Sequence, residues 1–153
     1  SLLRDDIETI HAATDLLAEA KLSPELRNEA LYYRAKAYTK QKADKKAMED
    51  YRELAKDTRN SYGAEAKYQV AQSLYDAKEY AAAEKELLNY IEQSTPHAYW
   101  LARSFILLSD VYHATGKDLD ARQYLLSLQQ NYQGNDDIES MIESRLSKLK
   151  VEN

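Results

Sequence analysis

The sequence predicts an all-α fold, a stack of helical hairpins built from about eight helices. Three observations lead there. The 153 residues contain only three Gly and two Pro, far too few for a turn-rich β fold. Ala, Leu, Glu, Lys and Gln dominate, all strong helix formers. Apolar residues recur three and four apart between widely spaced breakers, the period of an amphipathic helix.

Each element has its own signal. Helices are predicted near 4–20, 24–41, 44–58, 63–77, 80–93, 97–115, 118–132 and 136–149. Ser23-Pro24 is an N-cap followed by proline at the first helical position, and Thr95-Pro96 repeats the signature. Asn60-Ser61 and Asn135-Asp136 suit helix starts, and Gly116 and Gly134 suit helix ends. Leu31, Ala35 and Tyr38 make one apolar stripe, and Ala47, Tyr51 and Leu54 make the next. Ile138, Ile142, Leu146 and Leu149 make a terminal stripe, with Glu139, Glu143, Lys148 and Lys150 on the watery side.

An internal repeat organises these helices. Segments starting at Asn28, Ala64 and Ala102 lie 36 and 38 residues apart. Their eighth residues are small (Ala35, Ala71, Ser109) and are followed three later by Tyr38, Leu74 and Tyr112. Their twentieth residues are Ala47, Ala83 and Ala121, with Tyr51, Leu87 and Leu125 four beyond and Leu54, Tyr90 and Leu128 three further. Small residues let the two helices of a hairpin approach, and bulky ones fill the seams. A lone hairpin cannot bury its apolar face, so neighbours must stack.

This pattern resembles the tetratricopeptide repeat family over residues 28 to 130. The resemblance implies a right-handed α-α superhelix. It divides the chain into the second helix of a truncated repeat (1–23), repeats at 24–59, 60–95 and 96–134, and a capping helix at 135–153. Ala12 and Leu16 fit that leading helix, whose apolar end would comprise Leu2, Leu3 and Ile7. There are departures: the repeats exceed the usual length, and Lys42 and Lys78 stand where the family often has the glycine found at Gly116. Residues 60–68 and 99–103 resemble repeat junctions of Gram-negative cell-envelope members. That subgroup implies a periplasmic or envelope location, with the cytoplasm as an equal alternative. The chain opens on Ser1 rather than methionine, which fits a processed or truncated chain that has lost a targeting segment.

Composition and motifs narrow the chemistry. Cysteine is absent, so disulfides, thiolate metal sites and cysteine nucleophiles are excluded. No apolar run is long enough to cross a bilayer. A net charge of -5 argues against nucleic-acid binding. The run Lys36, Lys40, Lys42, Lys45 and Lys46 reads as a solvated turn. His11, His97 and His113 lie on different helices without a metal-binding motif, and Gly63, Gly116 and Gly134 are isolated, so no phosphate loop exists. Asp136, Asp137 and Glu139 lack a calcium loop's alternation and suit a helix N-terminus. Neither a catalytic site, a metal nor a cofactor is expected.

Tyrosine is abundant, at 13 residues against one Trp and one Phe, and its flat face and hydroxyl suit binding surfaces. Tyr38, Tyr51, Tyr90 and Tyr112 read as packing positions. The resemblance implies a concave groove lined by Tyr32, Lys36 and Thr39 in the first repeat. It adds Tyr68, Gln72, Tyr75 and Asp76 in the second, and Arg103, Ile106, Asp110 and His113 in the third. The family's carboxylate clamp is not supported, because Tyr32 and Tyr68 hold the fifth places and Lys36 replaces asparagine at the ninth. The expected function is a non-enzymatic adaptor gripping a peptide or protein segment in that groove. The alternative is a structural segment of a longer solenoid that self-associates or helps assemble an envelope complex.

Overall fold

A computed structural model describes residues 2–93 and 95–149, with side chains from Arg4 onward. Among the described residues there are eight helices and no strand: α1 (Leu2–Leu17), α2 (Pro24–Lys40), α3 (Asp44–Leu54), α4 (Ser61–Asp76), α5 (Tyr80–Glu92), α6 (Ala98–Ala114), α7 (Asp118–Asn131) and α8 (Ile138–Lys148). The all-α class and the helix order follow the sequence reading. The side chains expected at Leu2 and Leu3, and Lys150, lie outside the described residues. The chain forms two compact units, Ser1–Gln69 and Val70–Asn153, divided within α4.

Capping chemistry sets many of the boundaries. Ser23 Oγ accepts from Leu26 N at 3.3 Å, with Pro24 opening α2. Asn60 Oδ1 accepts from Gly63 N at 2.8 Å, so α4 begins at Ser61, two residues before the predicted start. Thr95-Pro96 does not cap α6: the Thr95 hydroxyl donates to Tyr90 Oη at 3.0 Å, and the helix starts at Ala98. Gly134 does not end α7, which stops at Asn131 with an extended C-cap at Tyr132. α1 and α3 end three and four residues early. Both unwind through i→i−3 hydrogen bonds, Glu19 N to Leu16 O and Asp57 N to Leu54 O.

The three hairpin turns share one geometry. Lys42 N donates to Thr39 O and Ala43 N to Tyr38 O; Lys78 N and Glu79 N bond Tyr75 O and Leu74 O; Gly116 N and Lys117 N bond His113 O and Tyr112 O. These are Schellman closures, in which one residue must turn left-handed. That residue has φ 59° at Lys42, 61° at Lys78 and 80° at Gly116. The two lysines thus take a conformation that costs an L side chain roughly 1–2 kcal/mol.

Packing follows the repeat. Ala35, Ala71, Ser109, Ala47, Ala83 and Ala121 are each at most 2% exposed. Tyr51, Leu87 and Leu125, with Leu54, Tyr90 and Leu128, are buried beside them, and each large apolar side chain so buried contributes about 1.5–3 kcal/mol. Ala12 is exposed and Ala13 takes the buried place on α1. In the first unit Arg34 on α2 ties three helices together. Its Nε and Nη2 donate to Asp50 on α3 at 2.8 and 2.7 Å, and its Nη1 donates to Thr14 on α1 at 3.2 Å. Gly63 lies so close to the end of α3 that a Cβ there would collide with Asp57 O. In the second unit Ile138 and Ile142 of α8 complete a core with Ala102, Ile106, Leu125 and Leu128.

Candidate functional site

Two of the expected groove residues are core. Tyr68 is 5% exposed and Ile106 is 1% exposed. Tyr68 lies four residues after Ala64 and three before Ala71, and Ile106 stands likewise between Ala102 and Ser109. Helical spacing puts the fifth position on the same buried stripe as the small eighth. Ile106 is further covered by Ile138 and Ile142 of α8.

The remaining expected residues fall into separate places. Tyr32, in the first unit, stacks 4.5 Å from the Tyr62 ring and 5.4 Å from that of Tyr33. Its hydroxyl donates to Glu65 Oε1 at 2.9 Å and accepts from Lys36 Nζ at 3.1 Å, with the ammonium also 5.1 Å from the ring centroid. Burial, and then the hydrogen bond to Glu65, push the Tyr32 hydroxyl well above its ordinary pKa. Thr39 is exposed, and its hydroxyl donates to Ala35 O at 2.9 Å within its own helix. Arg103 packs against Tyr99 and Trp100, its guanidinium 5.8 Å from each ring. Arg103 Nη1 donates to Tyr99 Oη at 2.9 Å, and Tyr99 Oη donates to Asp137 at 3.0 Å.

The second unit brings Gln72, Tyr75, Asp110 and His113 together in one cleft of about 410 Å³, within the range of ligand sites. α4 supplies Gln72 and Tyr75, α6 supplies Ser109, Asp110 and His113, and α7 supplies Leu125. Arg145, Lys148 and Leu149 come from the terminal helix and its C-cap. Asp76 stands beside it, accepting from Gln72 Nε2 at 2.9 Å. Leu125, fully buried, lies beneath the cleft, and Leu149 gives it an apolar side. The walls hold paired polar groups. Arg145 Nε and Nη2 donate to the two oxygens of Asp110 at 3.1 and 3.2 Å. His113 Nδ1 lies 2.8 Å from Asp118 Oδ1. The Tyr75 hydroxyl is held above its ordinary pKa by burial first, and then by the negative charge of Asp110. The Tyr75 ring meets Tyr80 edge-on at 5.6 Å.

Sequence reasoning missed Arg145. Its signal was a basic residue on the terminal stripe's flank, but the partner Asp110 lies 35 residues upstream, beyond any local pattern. Lys148 is exposed as expected, at the cleft. Among the described residues no group of three or more histidines and carboxylates is placed to hold a metal ion, and no helix is long and apolar enough to cross a membrane. No family model, no curated protein and no solved structure matches the chain.

Proposed function

We propose that the chain is a non-enzymatic protein-interaction module of tetratricopeptide-repeat type that binds a peptide or protein segment in the α4/α6/α8 cleft. The repeat reading is supported by the same left-handed hairpin closure recurring at Lys42, Lys78 and Gly116. The observation that carries the binding reading is the cleft itself. Apolar Leu149 and the Tyr75 ring stand beside the Gln72 amide and the Asp110–Arg145 pair, which together suit an amphipathic segment. Its polar groups are held by one another, Asp110 by Arg145 and His113 by Asp118, rather than set out as a nucleophile beside a base.

The test is capture on immobilised protein, with a Tyr75→Ala/Gln72→Ala variant alongside. A protein retained by the parent and lost from the variant supports the reading; retention unaffected by the variant overturns it. A second reading, self-association of a solenoid segment, is favoured by an apolar groove of about 370 Å³ between α1 and α2, at which Leu26 is 46% and Tyr33 48% exposed. Sedimentation of the parent against Leu26→Glu tests it: an oligomer that dissociates in the variant supports it, and a monomeric parent rules it out.

A further inference from the structure

We infer that the α4/α6 wall of the cleft is a docking surface for an arginine-bearing amphipathic helix, and that Arg145 of α8 holds the place of that helix's arginine. The inference rests on the cleft being the binding site. The wall is acidic, with Asp110 in the lining and Asp76 beside it. The cations across from it, Arg145 and Lys148, both come from α8. Leu149 follows Arg145 by four residues, so one face of the terminal segment offers the cleft an arginine and then an apolar side chain.

The Arg145–Asp110 pair is built to exchange. Another arginine–aspartate fork that joins two helices, Arg34–Asp50, has side chains 19% and 5% exposed and bonds of 2.8 and 2.7 Å. Arg145–Asp110 is 31% and 22% exposed, with bonds of 3.1 and 3.2 Å. Water reaches the second pair and weakens it. α8 is anchored in its first half by Ile138 and Ile142, both at most 2% exposed, whereas Leu146 and Leu149 near its end are only partly buried against the same core, so its last turns leave at the cost of those two contacts alone. An incoming guanidinium would recover both hydrogen bonds to Asp110 while Arg145 moved into solvent.

A labelled peptide of residues 138–149, with blocked ends, is the probe, and fluorescence anisotropy with the full chain is the readout. Arg145→Ala, which frees Asp110, is expected to bind the peptide about tenfold more tightly than the parent. Asp110→Asn in that background is expected to abolish the gain, as is glutamate in the peptide at the arginine position. Equal binding by parent and Arg145→Ala overturns the inference, as does a preference for the glutamate peptide. Hydrogen exchange on the folded parent gives an independent reading: saturating peptide should speed exchange at 145–149, and unchanged exchange overturns the displacement. A Tyr75-dependent partner in the capture assay beside these negative results would leave the cleft reading intact and remove only the mimicry.

Discussion

Replacing Asp50 with alanine tests how the first unit is held. The carboxylate is 5% exposed and accepts two charge-assisted hydrogen bonds from Arg34, at 2.8 and 2.7 Å. Asp50→Ala leaves the guanidinium with the Thr14 hydroxyl at 3.2 Å and the Tyr38 face at 5.9 Å. Removing one partner of a buried pair costs about 3–5 kcal/mol. Arg34 keeps 19% of its side chain in water, which points to the lower end, about 3 kcal/mol. Removing both charges is a different perturbation, because it removes the desolvation penalty along with the attraction. Arg34→Met/Asp50→Leu should therefore fall within about 1 kcal/mol of the parent. Urea unfolding followed by circular dichroism, compared at constant slope, measures both. The reasoning fails if Asp50→Ala costs under about 1 kcal/mol, or if the paired replacement is as damaging as the single one.

Other expectations follow from the same structure. Lys42→Gly should stabilise by about 0.5 kcal/mol, the left-handed penalty less glycine's unfolded-state entropy, while Gly116→Ala should cost about 1 kcal/mol; urea midpoints check both signs. Gly63→Ala, whose Cβ would collide with the Asp57 carbonyl oxygen, should cost about 3 kcal/mol or more, with hydrogen exchange rising first at the α3–α4 junction. Burial pushes the Tyr112 hydroxyl up to about 12 from an ordinary 10.0. A pKa raised in the folded state keeps its stabilisation fully below the unfolded value and loses it above. Stability should thus be flat with respect to Tyr112 up to about pH 10 and fall toward pH 12, and Tyr112→Phe should flatten that decline in an alkaline unfolding series.

Helix order and hairpin turns were legible because they rest on local signals. The spacing of Ala35 and Ala47 encodes close packing directly, and the Ser23-Pro24 cap acts within four residues. What stayed illegible depends on distant partners. Thr95-Pro96 reads like Ser23-Pro24, yet a tyrosine hydroxyl on the preceding helix claims Thr95. Tyr68 and Ile106 look like surface aromatic and aliphatic residues only when the eighth-position stripe beside them is ignored. Lys42 and Lys78 show their left-handed backbone only through their alignment with Gly116, since the bonds that impose it are backbone bonds that leave no trace in the side chain. Half of the cleft was readable from α4 and α6, and the other half comes from a helix whose sequence reads as a plain cap.

The uniformity of the hairpin turns determines where this chain tolerates a change of length. Each turn spans three residues, at 41–43, 77–79 and 115–117, and each is closed by two backbone bonds that fix its register. Length differences enter elsewhere: α3 has 11 residues and its counterpart α5 has 13, while the bonded turns before them are identical. An added residue in a turn would rotate the following helix by about 100° and bring a polar face onto the alanine seam. The connection at 132–137, exposed from Gln133 to Asp137, meets no such closure, whereas that at 55–60 is held by the buried Thr58 and by the close approach of Gly63 to Asp57. New termini, labels and grafted loops therefore belong in the 132–137 connection, where the chain has room to drift without its helices losing step.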